Sequence, residues 1–212
     1  GSVANKEIDF LNDQKIKTII IDHHEIYKPY PKSSSLINPK KECDYNSYDY
    51  FCSATLTYFL IDSYIHVKKL DINFKENLIY ILLATVSDVM PLRKINRYIA
   101  INVLKKFDIQ NNFLIKRIFE LKKIKKKLEI NDLGFLLGPI LNSAGRLSSA
   151  SDVVELLITK NDLLKEKIIK NLISINEKRK NIQEISFKDI NFEKIKNNKN
   201  NVLVLNENFL HE

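Results

Sequence analysis

Apolar and polar positions follow two different periods along the chain. Lys17-Thr18-Ile19-Ile20-Ile21 is a β-branched run that predicts a buried strand. It gives way to Asp22-His23-His24 and then to Glu25-Ile26-Tyr27-Lys28-Pro29, where proline cannot continue a ladder. Upstream, residues 3–16 are polar with scattered Ile8, Phe10, Leu11 and Ile16, a short helix leading into the strand. Ser35-Leu36-Ile37-Asn38-Pro39 predicts a second short strand that ends at Pro39. From residue 53 the spacing becomes helical. Ser53 reads as the N-cap of a helix with Leu56, Phe59, Leu60 and Val67 on one face. Asn73 and Glu76 have the spacing of a capping box. The helix they open, Phe74 to about Val86, is apolar almost all round and should be buried.

That helix runs into Thr85-Val86-Ser87-Asp88-Val89-Met90-Pro91-Leu92, where Pro91 disfavours helical backbone at Met90. Further helices carry Ile99, Ala100, Val103, Leu104 and Phe107, then Leu114, Ile115, Ile118, Phe119 and Leu121. Gly138-Pro139 reads as the end of a helical segment, with Asn142, Gly145 and Arg146 forming a small polar turn after it. Asp152 and Glu155 open another helix. Leu164, Ile168, Leu172, Ile175, Ile182 and Ile185 predict one long amphipathic helix, exposed around Glu177-Lys178-Arg179-Lys180. Residues 196–201 read as a linker, and Val202-Leu203-Val204-Leu205 as a strand that opens something the chain does not finish.

The 212 residues are 44% apolar, enough for one sizeable core or one and a half domains. A net charge of +8 fits a polyanionic partner, although lysine, asparagine and isoleucine are abundant throughout. Lys122-Lys123-Ile124-Lys125-Lys126-Lys127 reads as a solvated helix face or, less commonly, a phosphate-binding strip. Cys43 and Cys52 have no metal-ligand spacing. With no secretory signal in the chain they read as ordinary thiols of a reducing compartment, so the cytoplasm is the expected location. No apolar run reaches transmembrane length. Gly1-Ser2 has the look of a cloning remnant and is set aside from the fold.

The candidate chemistry lies in several stretches. Asp22-His23-His24 puts a carboxylate and two imidazoles where a core strand empties into a loop, the usual ligand-binding end of an open α/β sheet. Those donors suit Mn²⁺, Zn²⁺ or Fe²⁺; the alternative is a helix cap or a core histidine pair. Asp88, delivered where a buried helix stops, is a second candidate ligand, or else a helix-end carboxylate bonding local amides. Around 138–147, glycine would allow positive φ or close approach of a ligand, and Arg146 could hold a phosphate in a bidentate fork. The alternative there is a tight interhelical turn whose arginine pairs locally. Tyr45, Tyr48, Tyr50 and Phe51 could stack bases or pack a long loop onto its domain.

Taken in order, these stretches resemble a known family. Ile21-Asp22-His23-His24 resembles the third motif of the DHH phosphoesterases, and Thr85 to Leu92 their fourth. Gly138-Pro139-Ile140-Leu141-Asn142-Ser143-Ala144-Gly145-Arg146-Leu147 is similar to a stretch typical of the RecJ branch, the single-strand-specific 5′→3′ exonucleases. Asn176-Glu177-Lys178-Arg179-Lys180 resembles that branch's connecting helix, and Val202 to Glu212 the first strand of its second domain. Ile140 stands where the branch usually has arginine, and Ser53 and Thr55 where it often has glycines. The family's first two, aspartate-rich motifs would lie upstream of residue 1.

The resemblance implies an α/β fold: a parallel sheet with flanking helices (part of a DHH domain, residues 3–150), a helical extension with a long C-terminal connecting helix (151–195), and a linker with the start of a truncated second domain (196–212). It implies a two-metal Mn²⁺- or Mg²⁺-dependent phosphodiesterase, with Asp22, His23, His24 and Asp88 catalytic. His23, Asp88 and His24 would be metal-binding, with Asp22 orienting the cluster, and Asn142, Gly145 and Arg146 would hold nucleic acid. The implied partner is single-stranded DNA, with single-strand-binding protein as a further one and no membrane; the implied role is DNA repair and recombination. With only part of the ligand set present, the chain alone is expected to be inactive. The competing expectations are a DHH phosphoesterase acting on short oligonucleotides or cyclic dinucleotides, and a non-catalytic nucleic-acid-binding scaffold.

Overall fold

The computed structural model describes residues 1–41, 48–147 and 149–188. Helix α1 (Asn5–Asp13) turns at Lys15, φ 59°, into strand β1 (Ile19–Ile21). Strand β2 (Ser35–Ile37) pairs with it in parallel, Ile19 opposite Ser35 and Ile21 opposite Ile37. The Asp22 N–H extends the ladder to Ile37 O at 3.0 Å. Both strands therefore deliver their carboxyl ends, Asp22 and Asn38, to the same end of the sheet. The strand is not buried throughout: Ile20 is 6% exposed but Ile19 is 65% exposed. The pleat sends alternate side chains to opposite faces; the Ile20 face is covered, and the other face is open at Ile19 and half-covered at Ile21.

Helix α2 (Ser53–Lys68) packs on α3 (Leu78–Ser87), which packs on α4 (Lys94–Lys106). Ile79, Leu82, Leu83 and Thr85 bury α3 as its all-round apolarity requires. A 3₁₀ turn, Lys75–Asn77, leads into it, with Asn73 Oδ1 accepting from Lys75 N–H at 3.2 Å. In α2 the buried positions are Thr55 and Tyr58, while Leu60 and Val67, read as part of an inward face, are exposed. That helix has apolar residues on several sides, so spacing alone does not choose the face that turns inward. Ser53 is not the cap either. It is the first helical residue, and Cys52 precedes it without a side-chain capping bond.

Two compact units divide the described residues: Gly1–Phe107 with Leu128–Gly134, and Asp108–Lys127 with the described residues from Phe135 onward. In the second, α5 (Phe113–Leu121) is capped by Asn112, whose Oδ1 accepts from Ile115 N–H at 3.0 Å. Lys122 to Lys127 follow as an irregular turn rather than a helix face, because Lys123 adopts φ 56° and ends the helical path. The chain then passes through α6 (Ile130–Asp132), a π-helical turn (Leu133–Leu137), α7 (Gly138–Asn142) and α8 (Ala144–Leu147). Gly138-Pro139 thus begins a helix instead of ending one. The π-helical turn just before it changes the bonding pattern where proline has no N–H to donate. Helix α9 (Ser151–Ile158) leads to α10 (Asp162–Lys188), the long helix that the periodicity predicts.

The core of this unit joins Leu114, Ile115, Ile118 and Phe119 of α5 to Ile168, Ile169, Leu172 and Ile175 of α10. Ile140 of α7 is fully buried with them. Arg117 forks onto Glu166, Nε to Oε2 at 2.5 Å and Nη2 to Oε1 at 2.8 Å, and Lys122 pairs with Glu177 at 2.7 Å. The Arg117 bonds, with Lys170 beside them, hold the Glu166 carboxyl down at about 2. Glu177 and Arg179 are half-buried, while Lys178 and Lys180 are exposed as expected. Cys43, Tyr45, the 196–201 linker and the Val202–Leu205 strand lie outside the described residues.

Candidate metal centre

Asp22 is 5% exposed, and both its oxygens are taken. Oδ1 accepts from His23 N–H at 2.8 Å, His24 N–H at 3.2 Å and His24 Nδ1 at 2.7 Å. Oδ2 accepts from Ser2 N–H at 2.7 Å and lies 3.3 Å from the Gly1 ammonium. Gly1-Ser2, set aside from the sequence, thus packs against the site, with Ser2 1% exposed. Burial works to raise the Asp22 carboxyl, but these bonds outweigh it and hold the group well below the usual carboxylate range. A carboxylate so occupied orients its neighbours. Because His24 Nδ1 donates to Asp22, the His24 Nε2 lone pair is left free on a side chain 75% exposed. The loop after the strand is tied down by Asn38, whose Nδ2 donates to His24 O at 3.0 Å and to Ser2 Oγ at 2.7 Å.

His23 turns the other way, under His24, with ring centroids 4.3 Å apart. Its Nδ1 meets Ser53 Oγ at 2.8 Å and Ser53 N–H at 3.1 Å. The first N–H groups of a helix have no intrahelical acceptor, so the start of α2 points a donor at this ring. The two contacts favour different tautomers. The N–H can only donate, and needs Nδ1 bare. The hydroxyl can also accept, from the Nδ1–H form that frees Nε2. That Nε2 lies 3.7 Å from Asp88 Oδ2. Burial, helped by His24, holds the His23 imidazole below its ordinary value against the pull of Asp88 and Asp22, so the ring is neutral at neutral pH.

Asp88 ends α3 in a tight cap: Val89 N–H bonds Val86 O at 3.1 Å and Met90 N–H bonds Thr85 O at 3.0 Å. The cap requires φ 54° at Val89, an uncommon conformation for a β-branched residue. It leaves the Asp88 side chain 44% exposed beside His23. Behind it a buried polar knot joins α2 to α3. Cys52 Sγ is 3.3 Å from Thr55 Oγ1, which is 3.4 Å from Thr85 Oγ1. Gly134 packs closely here, since a Cβ on it would come 3.1 Å from Val86 Cγ1.

The structure thus gathers Asp22, His23, His24 and Asp88 at one sheet end. Ligand atoms of the first three lie within 4.8 Å of one another. Ser53 and Asn38 are additions that sequence reasoning missed. A serine before a helical run signals a local cap, and only the tertiary contact shows its other use.

Asn142 and Arg146 are exposed at the end of α7 and on α8, and Arg146 has no ion pair among the described residues. They form two short helices broken at Ser143 rather than a turn. Among the described residues no glycine has positive φ, and a Cβ on Gly145 would meet nothing within 4 Å. The fold therefore does not require glycine there. Tyr50 and Phe51 are 1% and 4% exposed, which removes them as base-stacking platforms. Tyr48 stacks on Phe51 at 5.3 Å.

The chain is α/β, mostly helical with a small two-stranded parallel sheet, and the cluster sits at the strand ends. The chain is 30% identical over 196 residues to the single-stranded-DNA-specific exonuclease RecJ of Escherichia coli K12, covering 87% of this chain and 34% of that protein. It is 28% identical over 188 residues to RecJ of Haemophilus influenzae, covering 83% and 32%. It therefore spans about a third of the length of the curated relatives it matches. A crystal structure of exonuclease RecJ bound to manganese superposes with a TM-score of 0.76 at 20% identity, over 90% of this chain and 48% of that one. RecJ of Thermus thermophilus in complex with Mn²⁺ gives 0.75 at 19%, over 90% and 28%. No family model matches the chain. In sequence and in fold the chain is RecJ-like.

Proposed function

We propose that this chain is part of a Mn²⁺- or Mg²⁺-dependent exonuclease that degrades single-stranded DNA from the 5′ end, and that it carries one side of the metal centre. One observation carries the reading. His23 and Asp88, remote in sequence, bring Nε2 and Oδ2 to 3.7 Å. The donor set fits a divalent ion. His23 is neutral, the His24 Nε2 lone pair is free, and Asp88 is a partly exposed carboxylate. A metal held there would supply an activated water and charge to stabilise the leaving oxygen. His23, His24 and Asp88 would hold it, Asp22 would orient His24, and Asn142, Gly145 and Arg146 would grip the sugar-phosphate backbone. The RecJ relatives, named for single-stranded-DNA-specific exonuclease activity, support this substrate, and the manganese-bound RecJ structures support the metal. Repair and recombination in the cytoplasm, beside single-strand-binding protein, is the setting proposed. No helix among the described residues is long and apolar enough to cross a membrane.

Hydrolysis of a long 5′-labelled single strand and of a dinucleotide, by the full-length protein with Mn²⁺, tests the proposal. Nucleotide release from the long strand, abolished by His23→Ala, is expected. Preference for the dinucleotide, or activity that survives His23→Ala, would overturn it. The described residues alone offer three free donor side chains, His23, His24 and Asp88, too few to saturate two ions. The chain by itself should bind Mn²⁺ weakly and release no nucleotide.

A further inference from the structure

Asn96 lies in the first turn of α4 and is 1% exposed. Its Nδ2 donates to Tyr50 O at 2.6 Å and to Pro91 O at 3.1 Å. Both partners are carbonyls, so the nitrogen must face them. The other end of the amide, Oδ1, has no hydrogen-bond partner among the described residues. Leaving a buried acceptor unpaired is unfavourable, and leucine has nearly the same shape. Packing alone gives no reason for an amide here.

The reason lies in what the two carbonyls belong to. Tyr50 stands three residues before Ser53, whose N–H and Oγ hold the His23 ring. Pro91 stands three residues after Asp88. One side chain is therefore bonded both to the stretch that enters the His23 support and to the stretch that leaves Asp88. Arg93 repeats the connection at the surface: Nη2 meets Asp49 Oδ1 at 2.6 Å, and the guanidinium lies 5.2 Å from the Tyr50 ring centre. Between Asp88 and Pro91 the backbone passes through the left-handed Val89, a conformation that persists where its surroundings enforce it.

We propose that Asn96 is a positioning residue. Its two N–H bonds latch the Asp88-to-Pro91 turn to the Tyr50-to-Ser53 stretch and so set the separation of Asp88 from His23. The functional consequence rests on the metal reading above. The latch itself belongs to the metal-free chain.

Two substitutions isolate it. Asn96→Asp keeps the shape and removes both donors. Asn96→Leu keeps the volume and also removes the unpaired Oδ1, so it serves where the carboxylate prevents folding. Ile8→Ala on α1 is the control for general loss of stability. In the metal-free chain, ¹⁵N NMR should show the His23 ring nitrogens and the Ser53 amide, none of which touches Asn96, shifted in the folded Asn96 variants and unshifted in Ile8→Ala. The Mn²⁺ concentration for half-saturation should rise at least threefold in the Asn96 variants and not in the control. Folded Asn96 variants with unmoved His23 and Ser53 signals would overturn the latch, as would equal shifts in Ile8→Ala. A wild-type chain that binds no Mn²⁺ would overturn the metal reading, and the NMR shifts would still decide the latch.

Discussion

Asp22 accepts hydrogen bonds on both oxygens, and its native carboxyl titrates below the unfolded one. Its ionised form therefore favours the folded state. That contribution is complete above the unfolded value of about 4 and is lost as pH falls from there through the depressed native value. Asp22→Asn should lower stability at pH 7 and flatten that part of the acid unfolding curve, as denaturant titrations at several pH values would show. Ser53→Ala removes the one contact of His23 Nδ1 that can accept a proton, leaving a backbone N–H that cannot. The Nε2–H tautomer should then dominate in ¹⁵N spectra of the ring, and Mn²⁺ affinity should fall about tenfold; unchanged ring shifts would contradict the role. That Asp22, His23, His24 and Asp88 stand at the ends of their elements was legible, because a β-branched run and a buried helix both announce where they stop. Ser53 was not, because its partner is thirty residues away in sequence and local rules see only the helix it begins.

Between α3 and α4 the chain places valine where a helix end usually has glycine. Val89→Gly should relieve the left-handed backbone and raise stability by up to about 1 kcal/mol, measured by urea unfolding; a loss of stability would show that Val89, 87% exposed, makes a contact that matters. Gly145 presents the opposite case. It lies in α8 with nothing near its missing Cβ, so Gly145→Ala should stabilise by roughly 0.5–1 kcal/mol. If a DNA backbone approaches there, the same variant should bind single-stranded DNA more weakly. Unchanged DNA affinity would remove Gly145 from the interface. Apolarity on nearly every side revealed α3, and periodicity revealed α5 and α10, whose apolar positions recur consistently. It misplaced the inward face of α2, where leucine, isoleucine and valine occur on several sides. It also misread Gly138-Pro139, since a proline that ends one helix and one that begins another leave the same local trace.

Across the molecule, a net charge of +8 sets the electrostatic background for a polyanion. Single-strand binding should weaken with salt, and Arg146→Ala should reduce the slope of log affinity against log salt by about 0.7 if that side chain neutralises one phosphate; an unchanged slope would place Arg146 outside the path. The α/β class with a parallel sheet followed from the family resemblance, and the long exit helix from periodicity. The division at Phe107, Lys127 and Gly134 could not be read from the sequence, because it follows from which helices share a core and not from any break in composition. The most direct measurement is Mn²⁺ titration of the chain by electron paramagnetic resonance, comparing wild type with His23→Ala and Asp88→Ala, each verified as folded. Saturable binding that weakens at least tenfold in both variants is expected. Binding of equal strength in wild type and Asp88→Ala would contradict a shared metal site.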